Sequence, residues 1–162
     1  MPSRIALRTT DSVVKEIETV DAEIRRRAYA LSHQRAHQGE GPADDWLQAE
    51  RDVTWRPAIE LSRHGARFIV TAAVAGVEPG QLDIALTSED LLLQADVQHR
   101  HARGGDDVHL CEFHHGRLFR SVHFPEQIQP DKARVVLKNG LLRLTVPLAG
   151  KRPPARRAAG RA

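Results

Sequence analysis

Cysteine, aromatic residues and long apolar runs are all scarce in this sequence. Its 162 residues include a single cysteine, Cys111, which excludes an intrachain disulfide and fits a reducing cytoplasm. Aromatic residues make up only 4% of the chain, so a core must be built mainly from Leu, Val, Ile and Ala. No stretch approaches the about 18 consecutive apolar residues of a membrane-spanning helix, and the N-terminus has no apolar run of signal-peptide length. We therefore expect a soluble, cytoplasmic protein with no membrane partner.

Sequence motifs of the common enzyme classes are also missing. The chain has no Gly-x-x-x-x-Gly-Lys-Ser/Thr phosphate loop and no Gly-x-Ser-x-Gly, His-Glu-x-x-His or Cys-x-x-Cys. Cys111 has three histidine neighbours, His109, His114 and His115, which could in principle pair a nucleophile with a base. No recognisable orienting group accompanies them. We therefore predict that the protein is not an enzyme and uses no cofactor.

The charge of the chain is nearly balanced except at its C-terminus. The formal net charge is +3, from 24 Lys and Arg against 21 Asp and Glu. Residues 149–162 form a tail rich in proline and alanine, whose cations are Lys151, Arg152, Arg156, Arg157 and Arg161. Such a tail attracts phosphates through counterion release, but this one has no interleaved aromatic residues. We expect a disordered, solubilising tail and no nucleic-acid partner, with sequence-independent nucleic-acid binding left as an alternative.

The first third of the chain has the periodicity of amphipathic helices. After an arm over residues 1–10 that we expect to be disordered, apolar residues recur at steps of three and four and form a stripe of Val13, Ile17, Val20, Ile24 and Leu31. A second helix begins near Pro42 and carries Trp46, Leu47 and Val53. We predict a two-helix region over 11–54 in which the stripe packs on Trp46 and Leu47. The alternative is that the stripe assembles protomers or contacts other proteins.

From Trp55 onward the helical period gives way to short strands. The stretch ARVVLKNGLLRLTVPL alternates apolar and polar residues around Asn139-Gly140, which predicts two strands joined by a type I′ turn. Further hairpins are predicted to turn near His64-Gly65 and at 88–90, and GRLFRSVHFP is a strand ended by Pro125. About seven antiparallel strands over 55–148 indicate a two-sheet sandwich. The stretch HRHARGGDDVHLCE is longer than a hairpin loop requires, which is typical of functional or mobile loops.

Short motifs within the predicted sandwich follow a characteristic order. VAGVEPGQLDIAL precedes LLLQA, GRLFRSVHFP and KNGLLRLTVP. Gly116, Leu118, Arg120 and Pro125 match a Gly-x-Phe-x-Arg motif with its following Leu-Pro, and residues 139–142 match Asn-Gly-Val-Leu. Together they resemble the α-crystallin domain of small heat-shock proteins, over roughly 56–148. The resemblance implies a mainly β, immunoglobulin-like antiparallel β-sandwich with an N-terminal α-helical extension. EIRRRAYALSHQRAHQGEGPADDWLQAE also resembles a short helical domain of unknown function found in some bacterial members.

The resemblance implies ATP-independent chaperoning, in which partly unfolded client proteins are bound and kept from aggregating. Such binding needs no catalytic residue, because it lowers the concentration of free aggregation-prone chains by mass action. The resemblance also implies a client or partner groove between two strands, lined by Ile84, Leu86, Val135 and Leu137. The alternative is that these four side chains are ordinary core residues.

In the family this groove is filled by an Ile-x-Ile or Val-x-Ile segment from a neighbouring C-terminal tail, which builds large assemblies. The tail AGKRPPARRAAGRA contains no such segment. One substitute is RIAL at the other end of the chain, where Ile5 and Leu7 share one face of an extended strand. The alternative is that both belong to the disordered arm. Assembly therefore either stops at the dimer or uses another segment.

The resemblance also implies a homodimer, with a larger homo-oligomer left open. In bacterial-type members the long loop carries an extra strand that pairs with the partner's sheet. DDVHLCE has a strand-like pair, Val108 and Leu110, in that loop, and we assign Val108, Leu110, Glu112 and Arg120 to the dimer interface. For Arg120 the alternative is a structural arginine satisfied within its own sheet.

Histidines crowd the same loop and its flanking strands. They are His99, His101, His109, His114, His115 and His123, and they surround Cys111. His-x-His on an extended strand places both rings on one side, where they could hold Zn or Cu. The spacing matches no closed site, so we predict no metal centre, and metal binding or pH sensing at the dimer contact remain alternatives.

Overall fold

Two helices precede a β-sandwich in the computed structural model, which describes residues 5–34, 41–98, 107–113 and 116–150. Within these residues, two helices and nine strands follow one another in this order: β1 (Ala6–Thr9), α1 (Val14–Gln34), α2 (Pro42–Val53), β2 (Thr54–Trp55), β3 (Ile59–His64), β4 (Arg67–Ala73), β5 (Leu82–Leu86), β6 (Asp90–Val97), β7 (Gly116–His123), β8 (Arg134–Lys138) and β9 (Leu141–Pro147). Short 3-10 turns at Pro79–Gln81 and Pro130–Lys132 precede β5 and β8. None of the described helices is long and apolar enough to cross a membrane.

The strands form two sheets that face each other. One sheet has the order β1-β5-β6-β7-β2 and the other the order β3-β4-β9-β8. The pairings are antiparallel except at the two edges of the first sheet, where β1 runs parallel to β5 and β2 runs parallel to β7. Strands β3 to β9 are the seven strands of the predicted sandwich, so the predicted fold class is confirmed. The additional strands, β1 and β2, both come from the N-terminal region.

The core lies between the sheets and is largely aliphatic, as the composition requires. Alternate residues of β4 and β9 point into it, which gives both strands a period of two. The cluster also includes Leu82, Ile84, Leu86, Leu91, Leu93, Leu118 and the packed rings of Phe68 and Phe124. Leu92, between Leu91 and Leu93, faces the other way and is still 0% exposed. The first sheet is therefore covered on both faces.

The hairpin between β8 and β9 turns as its sequence predicts. Asn139 and Gly140 have φ values of 52° and 75°, which a type I′ turn requires at both central positions. Space restricts the second position further, because a Cβ on Gly140 would lie 3.0 Å from the Cβ of Ala75. Glycine is thus required there both for its conformation and for the close approach of the 73–77 turn.

The helices form a third layer on the outer face of the first sheet. Val13 packs with Ala85 and Leu92, while Val20 and Ile24 pack with Ala49 of α2. Ile17 and Leu31 are half-buried against the same layer, and Phe119 of β7 joins the two clusters. The stripe of α1 is thus buried within its own chain.

The predicted helix partners of the stripe are wrong. Trp46 and Leu47 remain 38% and 51% exposed, whereas Ala49 is 0% exposed. The small Ala49 side chain lets the two helices approach closely, and docking on Phe119 turns the opposite side of α2 to the surface. Ion pairs hold the layer in place: Arg117 Nη1 lies 3.0 Å from Glu23 Oε2, and Arg27 Nη2 lies 2.6 Å from Asp52 Oδ2.

The prediction of a disordered arm over residues 1–10 is also wrong for the part that the structure describes. Ala6–Thr9 forms β1, and Thr10 N–H donates to the Leu86 carbonyl at 2.9 Å. The physical reason is the edge of β5, whose unpaired backbone groups offer hydrogen-bond partners to an extended segment.

Candidate strand-binding groove

The four residues assigned to the groove lie on two strands: Ile84 and Leu86 on β5, and Val135 and Leu137 on β8. Ile84 and Leu86 are 0% exposed, while Val135 and Leu137 are half-buried. All four belong to or pack against one cluster in the sandwich core. Membership of this large cluster fits the alternative that the four are core residues, and Ile84 and Leu86 have no free surface in the chain as it stands.

The chain's own N-terminal strand also occupies the edge of β5. β1 runs parallel to β5, with Leu7 opposite Ile84 and Thr9 opposite Leu86. Ile5 and Leu7 are partly buried against the core, whereas Ala6 between them is exposed. The Ile5-x-Leu7 segment therefore lies at the predicted groove of its own chain, with its two apolar side chains on the inner face.

Polar contacts hold the C-terminal half of β1. Arg8 Nε donates to Asp83 Oδ1 of β5 at 3.2 Å, and Arg8 Nη2 donates to Glu16 Oε1 of α1 at 2.9 Å. Thr9 Oγ1 donates to Asp131 Oδ1, in the turn before β8, at 3.2 Å. Arg8 and Thr9 thus tie the segment to the helical layer and to both sheets.

In the Arg8 network the pKa of Glu16, one of its two acids, is lowered. Glu16 accepts a hydrogen bond from its own backbone N–H and one from Arg8, and together these lower the pKa of the Glu16 carboxyl. Asp83 accepts a second hydrogen bond from Gln94 Nε2 at 2.8 Å. The sequence analysis missed Arg8, Glu16 and Asp83, since a 75-residue separation between Arg8 and Asp83 leaves no local signal.

Three of the four residues assigned to the dimer interface are exposed in the single chain. Val108 is 42% exposed and Leu110 is 78% exposed, and Glu112 is exposed as well. Residues 107–113 form no strand, contrary to the pattern of DDVHLCE, because a strand needs a neighbouring edge for its hydrogen bonds. The outer side of β3 is a sheet edge.

Arg120 lies on β7, opposite Leu93 of β6. Its Nε atom is buried and has no hydrogen-bond partner among the described residues. It lines a recess of about 220 Å³ together with Asp21, Glu50 and Arg56. The expected charge-assisted bond of Arg120 is therefore not made by this nitrogen within the described chain.

The structure describes only His109 and His123 of the clustered histidines. His99, His101, His114 and His115, like the tail cations Lys151, Arg152, Arg156, Arg157 and Arg161, lie outside the described residues. His109 and Cys111 are exposed, and His123 Nδ1 lies 2.8 Å from Asp90 Oδ1. Among the residues that can be placed, no three His, Cys, Asp or Glu side chains gather as a metal would require.

Sequence comparisons match the β-sandwich to one protein family. A model of the Hsp20/alpha crystallin family matches residues 60–159, which begin in β3 and include all later strands. Spore protein SP21 of Stigmatella aurantiaca is 28% identical over 97 residues, which cover 60% of this chain and 56% of that protein. The probable 15 kDa heat shock protein of Leptospira interrogans is 26% identical over 105 residues, covering 65% of this chain and 77% of that protein.

Solved structures share the fold at lower sequence identity. Heat shock protein 16.0 from Schizosaccharomyces pombe superposes with a TM-score of 0.56 at 20% identity, covering 66% of this chain and 99% of that chain. A small heat-shock protein from Xylella fastidiosa gives a TM-score of 0.56 at 17% identity, covering 66% and 98%. These matches leave about a third of this chain without a counterpart.

Proposed function

We propose, from the premise that this chain belongs to the Hsp20/alpha-crystallin family, that it is an ATP-independent chaperone that binds partly unfolded proteins and suppresses their aggregation. The proposal includes a cytoplasmic location and no enzymatic activity. The observation that carries it is the edge of β5, which binds an extended segment with alternate apolar side chains, joined by Thr9 to the turn before β8. Extended segments of unfolding proteins present the same pattern of backbone groups and side chains.

The proposal makes β1 the element that controls this surface. While β1 is docked, Ile84 and Leu86 are 0% exposed and cannot contact a client. When β1 leaves, the β5 edge offers unpaired backbone groups to an incoming strand, and an apolar slot opens beside Val135 and Leu137. A strand of four residues at a sheet edge has few contacts to lose, so it belongs to the parts of a fold that open most readily.

We further propose a homodimer in which residues 107–113 pair with the β3 edge of a partner. The exposed Val108 and Leu110 and the open side of β3 support this arrangement. Exchange of such an element covers an edge that would otherwise attract other chains. Native mass from size-exclusion chromatography with multi-angle light scattering tests it: the wild type should be a dimer or larger, and Leu110→Asp should lower the mass.

A reversible cross-link gives a direct test of the role of β1. The Thr9 and Asp131 side chains touch at 3.2 Å, so Thr9→Cys with Asp131→Cys, in a Cys111→Ser background, is designed to lock β1 beside β8 when oxidised. We measure light scattering of a heat-aggregating model protein without ATP. The locked form should suppress aggregation at least severalfold less than the same protein after reduction.

The reduced triple variant serves as its own matched control, because it differs from the locked form only by the disulfide. Equal suppression by the oxidised and reduced forms would refute the role of β1 and leave the chaperone proposal standing. No suppression by either form or by the folded wild type, at near-stoichiometric ratios, would refute the chaperone proposal itself.

A further inference from the structure

The outer face of the four-stranded sheet carries a row of cations. On β4, β8 and β9 the inward positions are apolar, so Arg67, Arg134, Lys138 and Arg143 point outward, and all four are exposed. Their register places one cation in each successive row of the sheet: Arg67 lies opposite Pro147, Arg134 opposite Thr145, Arg143 opposite Val136, and Lys138 opposite Leu141. Rows on one face are about 7 Å apart, since they repeat every two residues. We call these four residues the basic face.

No acid neutralises the basic face within the described chain. None of its four cations makes an ion pair with a described residue, whereas Arg56, Arg63 and Arg117 of the same sandwich all do. Glu60, on β3, is the one carboxylate that the register places on this face. A face with this imbalance attracts a polyanion or an anionic surface.

One end of the basic face opens into a recess suited to a phosphate group. The recess has a volume of about 900 Å³ and is lined by Arg67 and Arg134 together with His64 and Lys132. Asp131 also lines it, so three cations, Arg67, Lys132 and Arg134, face one carboxylate in the recess. Two arginines facing one opening present the fork of donors that binds phosphate oxygens.

The other end of the basic face is apolar and favours a lipid surface over a nucleic acid. Val136 is 59% exposed and Leu141 is 50% exposed, beside Arg143 and Lys138. The outward positions of the four-stranded sheet carry no Phe, Tyr or Trp on which a base could stack. Exposed aliphatic side chains among cations add nothing to a phosphate backbone, but they enter the boundary between headgroups and acyl chains.

We propose that the basic face docks on the surface of a bilayer containing anionic phospholipids, with a headgroup phosphate in the recess between Arg67 and Arg134. The helical layer lies on the opposite sheet, so it does not obstruct this face. Docking of this kind is peripheral and needs no spanning helix. It departs from the expectation of no membrane partner, which was drawn from the absence of spanning and signal segments alone.

Vesicle co-sedimentation of the full chain tests the proposal with a charge-matched pair of variants. Arg134→Gln with Arg143→Gln removes two cations from the basic face. Arg25→Gln with Arg26→Gln removes two exposed cations from α1, so both variants have the same net charge and keep the C-terminal tail. We use vesicles of phosphatidylcholine with one third phosphatidylglycerol, and vesicles of phosphatidylcholine alone. Thermal unfolding establishes that each variant is folded.

The wild type should bind the anionic vesicles, release them as salt rises, and ignore phosphatidylcholine alone. The basic-face variant should lose roughly tenfold or more in affinity, since each cation at an anionic surface contributes about fivefold, and the α1 variant should bind almost as the wild type does. Val136→Ser with Leu141→Ser should weaken vesicle binding severalfold and leave retention on duplex DNA unchanged.

Three results would overturn the proposal. Equal losses in the two charge variants would mean that net charge, and not this face, drives binding. No loss in either variant would mean that binding uses another surface, such as the tail. If the wild type does not bind vesicles and the basic-face variant is retained less on duplex DNA than the wild type, the face binds a nucleic acid instead.

Discussion

Leu7→Ala is the single substitution that most directly weakens the docking of β1 on the β5 edge. Leu7 lies opposite Ile84 and is half-buried against the core. Complete burial of a leucine side chain contributes about 1.5–3 kcal/mol, so partial burial of Leu7 supplies roughly 1–2 kcal/mol to the docking of β1. Each 1.4 kcal/mol changes an equilibrium constant tenfold, so the open population should rise by about an order of magnitude.

Hydrogen exchange of the amides in Leu82–Leu86 reports the opening of β1, and aggregation suppression reports its consequence. Leu7→Ala should accelerate exchange at this strand about tenfold and increase suppression. Leu47→Ala is the matched control, because it makes the same chemical change at a leucine that is 51% exposed on α2. The reasoning fails if β5 exchange does not change with Leu7→Ala, or if exchange rises while suppression falls.

Other substitutions and conditions test the turn, the Arg8 network and the helical layer. Gly140→Ala should lower the free energy of unfolding in urea by more than about 1–2 kcal/mol, the expected penalty for a left-handed residue, because its Cβ would also lie 3.0 Å from the Cβ of Ala75. Gly65→Ala has open space around its Cβ and should cost only that penalty. The pKa of Glu16 is lowered from 4.5, so its contribution to stability is complete above that pH and is lost as the pH falls through the lowered pKa. Proteolysis of β1 should therefore increase on acidification, and it should increase less in Glu16→Gln. Phe119→Ala should expose the helical layer to protease before the sandwich unfolds, since this ring joins both apolar clusters under α1; simultaneous cleavage of both parts would contradict the layered arrangement.

The parts of the fold that the sequence predicts well are those with strong local signals. The Asn139-Gly140 turn follows from the positive φ that both residues tolerate, and β8 and β9 follow from their alternation. The helix from Val14 to Gln34 follows from its apolar stripe. In each case residues that are close together in the sequence decide the conformation, so the local sequence pattern is sufficient to predict it.

The parts of the structure that the sequence did not predict depend on contacts between residues that are far apart in the sequence. β1 has only four residues, and its strand conformation is fixed by the β5 edge and by Asp83, far along the chain. The orientation of α2, with Ala49 inward and Trp46 outward, is decided by docking on Phe119. A helical period says which residues share a face, but the sheet decides which face is buried. Likewise, residues 107–113 have a strand pattern without a strand, since no edge in the single chain pairs with them.

Within the described chain, the strand order leaves each sheet open at both ends. The first sheet ends in β1 and β2, which have four and two residues, and the second sheet ends in β3 and β8, which have six and five. A short edge offers few hydrogen bonds to another chain, so β3 and β8 are the longer templates for strand addition. Release of β1 leaves the number of edges unchanged, because it replaces a four-residue edge with the five-residue edge of β5. The four residues of β1 therefore decide which edge of the first sheet another chain meets.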